Sequence, residues 1–178
     1  MKVLKFLGIA LAALVGLVLL AGLFVKKDYA VERSIVINKP KADVFSYVRV
    51  FKNHKNFSSY EQMDPNIKMD YRGTDGEVGS VSAWAGNSNV GKGEQEIKKI
   101  TEGERIDIEL RFIEPMASIA PCYWTFESVD STQTKVKWGM SGTMSYPMNT
   151  MQLVMSMDDM IGTEYQKGLN QLKAILEK

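Results

Sequence analysis

Six segments with the pattern of β-strands follow one another between residues 67 and 144, and they constrain the fold more than any other feature of the sequence. They are rich in β-branched and aromatic residues, and every break between them contains Gly, Pro, Asn, Asp or Ser, which form tight turns. Connections this short join antiparallel neighbours. The sequence therefore predicts an antiparallel meander with strands at residues 67–73, 78–85, 90–100, 105–114, 119–129 and 134–144.

A further strand and two short helices precede this meander. Residues 29–38 alternate as a strand does, and one side of that strand is formed by Val31, Arg33, Ile35 and Ile37. Residues 43–48 follow Pro40 and have the apolar face of a short helix. We expect Phe57 and Tyr60 to anchor a second short helix, which ends at the turn signal Asp64-Pro65.

The predicted sheet has one apolar face that another element must cover. In residues 105–114 this face consists of Ile106, Ile108, Leu110 and Phe112. The segment large enough to cover it is residues 147–178, which we predict to be one long helix. Pro147 suits a first helical position, and the apolar stripe includes Ile161, Tyr165, Leu169 and Leu172.

Two features of this predicted helix bear on function. Its first half is rich in methionine, a flexible side chain that fills irregular cores or lines adaptable sites. Asp158 falls on the apolar face by helical angle, where a carboxylate needs a partner, water or a ligand. If Asp158 were desolvated there, its pKa would be raised.

The N-terminus contains an uncharged run at residues 6–25, which is the length of a membrane-spanning helix. A cleaved signal peptide is the competing interpretation, but its apolar core is usually shorter and ends in small residues. We therefore expect an uncleaved single-pass anchor at residues 1–28 and one globular domain at residues 29–178. Lysines flank the run on both sides; a cytoplasmic N-terminus would place the domain on the periplasmic side, and the opposite orientation stays open.

Composition argues against several classes of function. The chain has 22 Lys and Arg against 21 Asp and Glu, so it has no basic excess for nucleic acid. Cys122 is the only cysteine, which excludes an internal disulfide, and we expect it to be a buried, inert thiol. His54 is the only histidine, so a multi-histidine metal centre cannot form, and its polar neighbours suggest a solvated loop. We expect no metal and no cofactor.

Short motifs along the domain resemble those of the SRPBCC superfamily, which joins START-type lipid-transfer domains, polyketide cyclase/dehydrase-like proteins and birch-pollen-allergen-like ligand carriers. The matching residues are Val31, Arg33-Ser34-Ile35, Ile37, Pro40, Val44-Phe45, Asp64-Pro65, Gly91, Gly93, Ile97, Ile100, Phe112, Pro115-Met116, Trp124, Thr134, Val136, Trp138, Gly168-Leu169 and Leu172-Lys173. Relatives often carry tryptophans in the second short helix, where this chain has Phe57 and Tyr60. The resemblance covers residues 29–178 and implies an α+β helix-grip fold, in which a curved seven-stranded antiparallel sheet wraps around a long C-terminal helix.

The resemblance also implies a cavity between sheet and helix that holds a hydrophobic or amphipathic small molecule, such as a lipid. Its expected lining is Trp84, Phe112, Trp124, Trp138, Met140, Met151, Met155, Asp158 and Tyr165. Three hypotheses follow: a membrane-anchored binding module, a cyclase/dehydrase-like enzyme acting on such a molecule, or an envelope interaction domain with a filled core. We favour binding over catalysis and assign no catalytic residue, although an enzyme would draw its acid–base groups from Asp158, Tyr165, Glu61 or Asp64. No protein partner is indicated.

Overall fold

The computed structural model describes residues 2–178, and its elements follow the predicted order closely. Four α-helices span α1 (Lys2–Gly22), α2 (Lys41–Val48), α3 (Ser59–Gln62) and α4 (Met157–Leu176). Two 3₁₀ helices span Phe51–Asn56 and Met148–Leu153. Seven strands span β1 (Asp28–Ile37), β2 (Lys68–Arg72), β3 (Val81–Ala85), β4 (Lys92–Thr101), β5 (Arg105–Glu114), β6 (Ser118–Ser128) and β7 (Thr134–Thr143).

The strands form one antiparallel sheet in the order β1-β7-β6-β5-β4-β3-β2. Strands β2 to β7 are therefore a meander, as predicted, and β1 closes its far side by pairing with β7. The concave face carries the alternating apolar residues, and α4 lies across it. The expected pair of short helices after β1 is instead three short helical segments, because the chain from Phe51 to Asn56 forms a separate 3₁₀ turn.

One end of the sheet is adjacent to the end of α1, and we call it the anchor end. The strand register brings together there the starts of β1, β2, β4 and β6 and the ends of β3, β5 and β7, as in the pairs Asp28↔Thr143 and Phe112↔Ser118. Both the β5–β6 hairpin tip and the segment that links β7 to α4 consequently lie at the anchor end. The β6–β7 hairpin lies at the opposite end, where Ile37 pairs with Thr134.

The core extends to the end of the sheet away from the anchor end. Ile37, Val44, Val136 and Leu172 are fully buried there. Helix α4 is fixed at this end by hydrogen bonds, because Lys173 Nζ donates to the Val36 carbonyl at 2.6 Å and the Asn38 amide donates to Glu177 at 2.6 Å.

His54 belongs to this core, and the prediction that it is a solvated loop residue is wrong. The 3₁₀ turn places Phe51, His54 and Phe57 on one side, where the imidazole packs against both phenyl rings. His54 Nε2 lies 2.8 Å from the Val48 carbonyl, to which it donates, and burial lowers the pKa of the imidazole to about 4. His54 is thus a neutral core residue.

The C-terminal helix begins at Met157 rather than at Pro147, so the predicted helix over residues 147–178 is too long at its start. The Ser156 hydroxyl caps α4 by accepting a hydrogen bond from the Asp159 amide at 3.1 Å, and Asp158 and Asp159 in the first turn favour a helix start. Residues 148–153 form a 3₁₀ helix whose position is set by contacts with α1, which sequence periodicity does not report.

Helix α1 is long and apolar enough over Val3–Gly22 to cross a membrane. Its leucine, valine, isoleucine and phenylalanine side chains are exposed rather than packed on the domain. Five residues, Leu23 to Lys27, separate it from β1. Length and composition therefore fit a membrane span.

Candidate functional site

Four of the predicted cavity residues, Trp124, Trp138, Met140 and Tyr165, are buried in the interior between the sheet and α4. The Trp138 indole stacks on Trp124 with centroids 4.4 Å apart and on Tyr165 with centroids 3.9 Å apart. Trp124 also meets Phe57 edge to face at 6.0 Å and is only 1% exposed. This half of the expected cavity is thus filled by the protein's own aromatic rings.

Trp84 and Phe112 lie on the concave face at the anchor end and are only half-buried. Their rings meet edge to face at 6.2 Å, and Trp84 Nε1 donates to the Val90 carbonyl at 3.3 Å. Trp84 lies across Gly93, where any Cβ would collide with the indole. Leu110, two residues from Phe112 on the same side of β5, is half-buried as well. Together these residues form an apolar surface at the open end of the concave face.

Weakly acidic groups meet beside this surface. The Tyr165 hydroxyl lies 4.0 Å from Cys122 Sγ, a weak contact. Burial raises the pKa of the Tyr165, Tyr60 and Tyr29 phenols, and proximity to Cys122 raises each further. Cys122 is itself buried, as predicted, and burial raises the pKa of its thiol to about 12. The phenols and the thiol are therefore neutral hydrogen-bonding groups at physiological pH.

Tyr29 was not among the predicted site residues, although its position was readable. It occupies the same side of β1 as Val31, and its ring covers Gly142 of β7, where an added Cβ would lie 2.5 Å from the hydroxyl oxygen. The alternation of inward and outward residues along β1 therefore indicates that Tyr29 faces the interior.

Glu61 in α3 is a further polar group, and it lies near Tyr71 of β2. Its Oε2 atom is buried and has no hydrogen-bond partner among residues 2–178. Burial raises the pKa of the carboxyl to about 7, and Lys55 opposes this effect only in part. Burial raises the pKa of Tyr71 on β2, and the charge of Glu61 raises it further. Near neutral pH this carboxyl can either donate or accept a proton.

Asp64 is engaged structurally. Its Oδ1 accepts from the Asn66 amide at 2.9 Å, and its Oδ2 accepts from the Asn87 amide at 2.7 Å. The carboxylate thereby joins the turn after α3 to the β3–β4 loop. Its hydrogen-bonding capacity is used by the backbone.

Asp158 is exposed, so the desolvation that would raise its pKa is not found, and the partner that we expected such a carboxylate to need is Arg33. Both carboxylate oxygens accept from the Arg33 guanidinium, Oδ1 from Nη1 and Oδ2 from Nη2, each at 2.8 Å. Hydrogen bonding to Arg33 holds the pKa of Asp158 below its usual value. Gly162, one turn along α4, leaves the space that the guanidinium occupies. The pair joins β1 to the start of α4.

Met151 and Met155 also differ from expectation, because neither lies on α4. Met151 belongs to the 3₁₀ helix and Met155 to the link before α4, and both are exposed at the anchor end. They are therefore separated from the interior stack of Trp124, Trp138 and Tyr165.

Two cavities of sufficient size for a small ligand lie outside the interior. One, of about 360 Å³, is a polar groove beside α4 lined by Arg33, Gly162, Thr163, Gln166, Lys167 and Asn170. The other, of about 400 Å³, lies mainly on the convex face beside Pro121, Tyr123 and Ser141. Within residues 2–178 no group of three or more His, Cys, Asp and Glu side chains is arranged to hold a metal ion.

Comparison with known proteins identifies the fold. No family model matches the sequence, and no curated protein matches it significantly. A Chromobacterium violaceum protein matches with a TM-score of 0.60 at 14% identity, covering 84% of this chain and 97% of its own. A norcoclaurine synthase mutant of Thalictrum flavum, solved with a transition-state analogue, matches with a TM-score of 0.62 at 7% identity, covering 83% and 96%.

A third solved structure, Ara h 8.0201, matches with a TM-score of 0.55 at 13% identity, covering 83% of this chain and 97% of its own. Identities this low establish shared architecture alone. The order of elements, the closure of β1 on β7 and the position of α4 agree with that architecture. The chain therefore has the helix-grip fold that it shares with norcoclaurine synthase and the Ara h 8 type of birch-pollen-allergen-like protein.

Proposed function

We propose that this domain binds an apolar or amphipathic small molecule at the open end of its concave face, and that α1 holds it at the membrane in which such molecules dissolve. The observation that carries the proposal is the change in packing along that face. Core side chains far from the anchor end such as Ile37, Val136 and Leu172 are completely buried. Trp84, Leu110 and Phe112, in contrast, keep part of their surface exposed. Covering apolar surface of this kind is favourable by about 25 cal/mol per Å².

Polar groups beside this surface suit a ligand with one polar end. The Tyr29 and Tyr60 phenols are neutral hydrogen-bonding groups, and Glu61 carries a buried oxygen that has no partner among residues 2–178. A few polar groups at the edge of an apolar surface are what fixes the orientation of a bound small molecule. A hydroxyl or carboxyl group is therefore the polar end that we propose.

The orientation of the domain is a part of the proposal that the charges around α1 leave balanced. Lys2 and Lys5 precede the apolar run, and Lys26 and Lys27 follow it. The proposed orientation places the N-terminus in the cytoplasm and the domain on the periplasmic side. Lipids of the outer leaflet of that membrane would then be the nearest source of ligand.

Turnover is not part of the proposal. Of the three carboxyl groups that an enzyme could have used, Asp158 is held in an ion pair and Asp64 in backbone hydrogen bonds. Only Glu61 keeps an oxygen without a partner among residues 2–178. A second candidate, an interaction domain with a filled core, is favoured by the stack of Trp124, Trp138 and Tyr165. The two candidates differ in whether the half-open region takes up a ligand.

Native mass spectrometry of the full chain tests this difference. The protein is released from detergent micelles after incubation with a panel of fatty acids, phospholipids and sterols, and bound masses are identified. Leu110→Trp fills the half-open region, while Ser34→Trp introduces the same side chain at an exposed position on the outer side of β1.

We expect one bound molecule per chain in the natural protein and in Ser34→Trp, and its loss in Leu110→Trp. Equal binding by all three proteins would place the lipid elsewhere, for example around α1, and would overturn the proposed site. The absence of a bound molecule in all three would favour the filled-core candidate.

A further inference from the structure

The segment that follows β7 and reaches the first residue of α4, Met144–Met157, is attached to the end of α1. Asn149 is fully buried, and its Nδ2 donates to the carbonyl oxygens of Gly22 at 2.7 Å and Val25 at 3.1 Å. Gln152 Nε2 donates to the Lys26 carbonyl at 3.0 Å. The last carbonyl groups of a helix have no partner within it, so these side chains complete the end of α1.

Close packing accompanies these hydrogen bonds. Thr150 and Tyr146 cover Gly22 so closely that any Cβ at this position would collide with the Thr150 methyl group. The Met144 amide donates to the Lys27 carbonyl at 2.8 Å. The Met144–Met157 segment therefore lies at the same height along the α1 axis as Gly22 to Lys27.

If α1 spans a membrane, residues Gly22 to Lys27 and the segment attached to them lie at the membrane surface. The apolar run ends at Val25, and Lys26 and Lys27 follow it, as expected where a spanning helix meets the headgroups. Side chains attached at this level lie among headgroups and the first carbons of the acyl chains.

The composition of the segment fits that environment. No charged residue occurs between Lys137 and Asp158. Its exposed apolar side chains include Leu153 and Val154, the latter 84% exposed, together with Tyr146, Met151 and Met155. Contiguous exposed apolar surface beside a polar rim marks an interaction site.

The β5–β6 hairpin tip extends the same kind of surface at the anchor end. Ile113, Met116 and Ile119 are all more than half exposed there. In contrast, Val129 in the β6–β7 hairpin is an isolated exposed valine at the opposite end of the sheet.

We propose that the Met144–Met157 segment and the β5–β6 hairpin tip form a membrane-docking surface. This surface inserts its apolar side chains into the leaflet on the domain side of the membrane. It thereby turns the open end of the concave face towards the lipid. The inference rests on the membrane-spanning role proposed for α1 and is independent of ligand binding. A lipid bilayer is the favoured occupant because the surface is attached to the proposed spanning helix itself.

Fluorescence quenching in lipid nanodiscs tests the docking surface in the full chain. Val154→Cys and, as the matched control, Val129→Cys are labelled with the environment-sensitive fluorophore NBD. Phosphatidylcholine carrying a nitroxide on the headgroup or near the top of the acyl chain serves as quencher. Leu14→Cys reports insertion of α1, and the buried Cys122 needs no replacement.

We expect strong quenching and a blue-shifted emission at position 154, little quenching at position 129, and quenching at position 14 by nitroxides placed deep in the acyl chain. Equal, weak quenching at positions 154 and 129 would overturn the docking surface. A blue shift at position 154 that depends on protein concentration and not on nitroxide would assign the surface to a second copy and would also overturn it.

Failure of this proposal is distinguishable from failure of the proposed binding function. The quenching experiment contains no added ligand, and the mass-spectrometric experiment contains no bilayer. An unquenched label at position 14 would show that α1 does not span the bilayer and would overturn the docking surface as well. Ligand binding in detergent would still be tested by the mass-spectrometric experiment.

Discussion

The Tyr165 ring lies flat on the Trp138 indole, with centroids 3.9 Å apart and planes inclined by only 8°. Trp138 continues the stack to Trp124 on the neighbouring strand β6, so three aromatic rings join α4 to the sheet. The Tyr165 hydroxyl has only a long contact with Cys122. Packing of the ring, rather than the hydroxyl, is therefore the contribution of Tyr165 to stability.

Substitution of Tyr165 separates these two contributions. We expect Tyr165→Ala to lower the free energy of unfolding by about 3–5 kcal/mol, because it removes a large buried ring and leaves a cavity. Tyr165→Phe keeps the ring and should cost at most about 1 kcal/mol. Urea unfolding followed by near-ultraviolet circular dichroism measures both. A cost for Tyr165→Phe similar to that for Tyr165→Ala would show that the hydroxyl matters more than the stack.

Acidification should destabilise the domain through His54. Burial lowers the pKa of the folded-state imidazole to about 4, against about 6.5 in an unfolded chain. Stability from the neutral ring is fully present above pH 6.5 and is lost as the pH falls towards 4, by roughly 2–3 kcal/mol. His54→Gln keeps a side-chain donor for the Val48 carbonyl but does not titrate. Unfolding free energies at pH 7 and pH 4 should therefore differ less in His54→Gln than in the natural protein.

The Glu61 carboxyl should make the domain less stable as the pH rises, which is opposite to the effect of His54. Burial raises the pKa of its carboxyl to about 7, so the folded state binds the proton more tightly than the unfolded chain does. The resulting stability is fully present below about pH 4.3 and is lost as the pH rises through about 7, by roughly 1–3 kcal/mol. Glu61→Gln removes this loss and should be more stable than the natural protein at pH 8. Equal stability of the two proteins at pH 8 would indicate a carboxylate that is hydrated when charged.

The Arg33–Asp158 pair should give a small, salt-dependent contribution. Asp158→Asn should lower the melting temperature more than Asp159→Asn does, because both remove a negative charge from the first turn of α4 but only Asp158 binds Arg33 at both oxygens. The difference should shrink in about 1 M salt, where exposed charges are screened. If the two variants melt alike at low salt, the ion pair contributes nothing measurable.

Most of the sheet could be predicted because each strand carries its own signal. The alternation of Ile106, Ile108, Leu110 and Phe112 placed β5 at its observed bounds, and the same alternation put Arg33 on the inner side of β1. Sequence spacing also carried the information for His54, which lies three residues from both Phe51 and Phe57 in a 3₁₀ turn.

The errors concern contacts between distant parts of the chain. The helical angle predicts that Asp158 lies on the apolar face of the helix, but its partner Arg33 lies 125 residues earlier, and no periodicity connects the two. Likewise, Asn149 binds the end of α1 from within the separate 3₁₀ helix at residues 148–153, a contact that sequence periodicity does not report. The start of α4 at Met157, in contrast, has a local signal in the Ser156 cap.

The hydrogen bonds from Asn149 to Gly22 and Val25 leave little slack between α1 and the domain. A flexible tether would let a domain sweep a large volume and reach a facing membrane. If α1 spans a membrane as proposed, its firm attachment would confine the domain to one leaflet, where the search for a ligand is two-dimensional. Under the proposed function, such a protein would extract, present or hold a lipid where it already resides and would not carry that lipid between membranes.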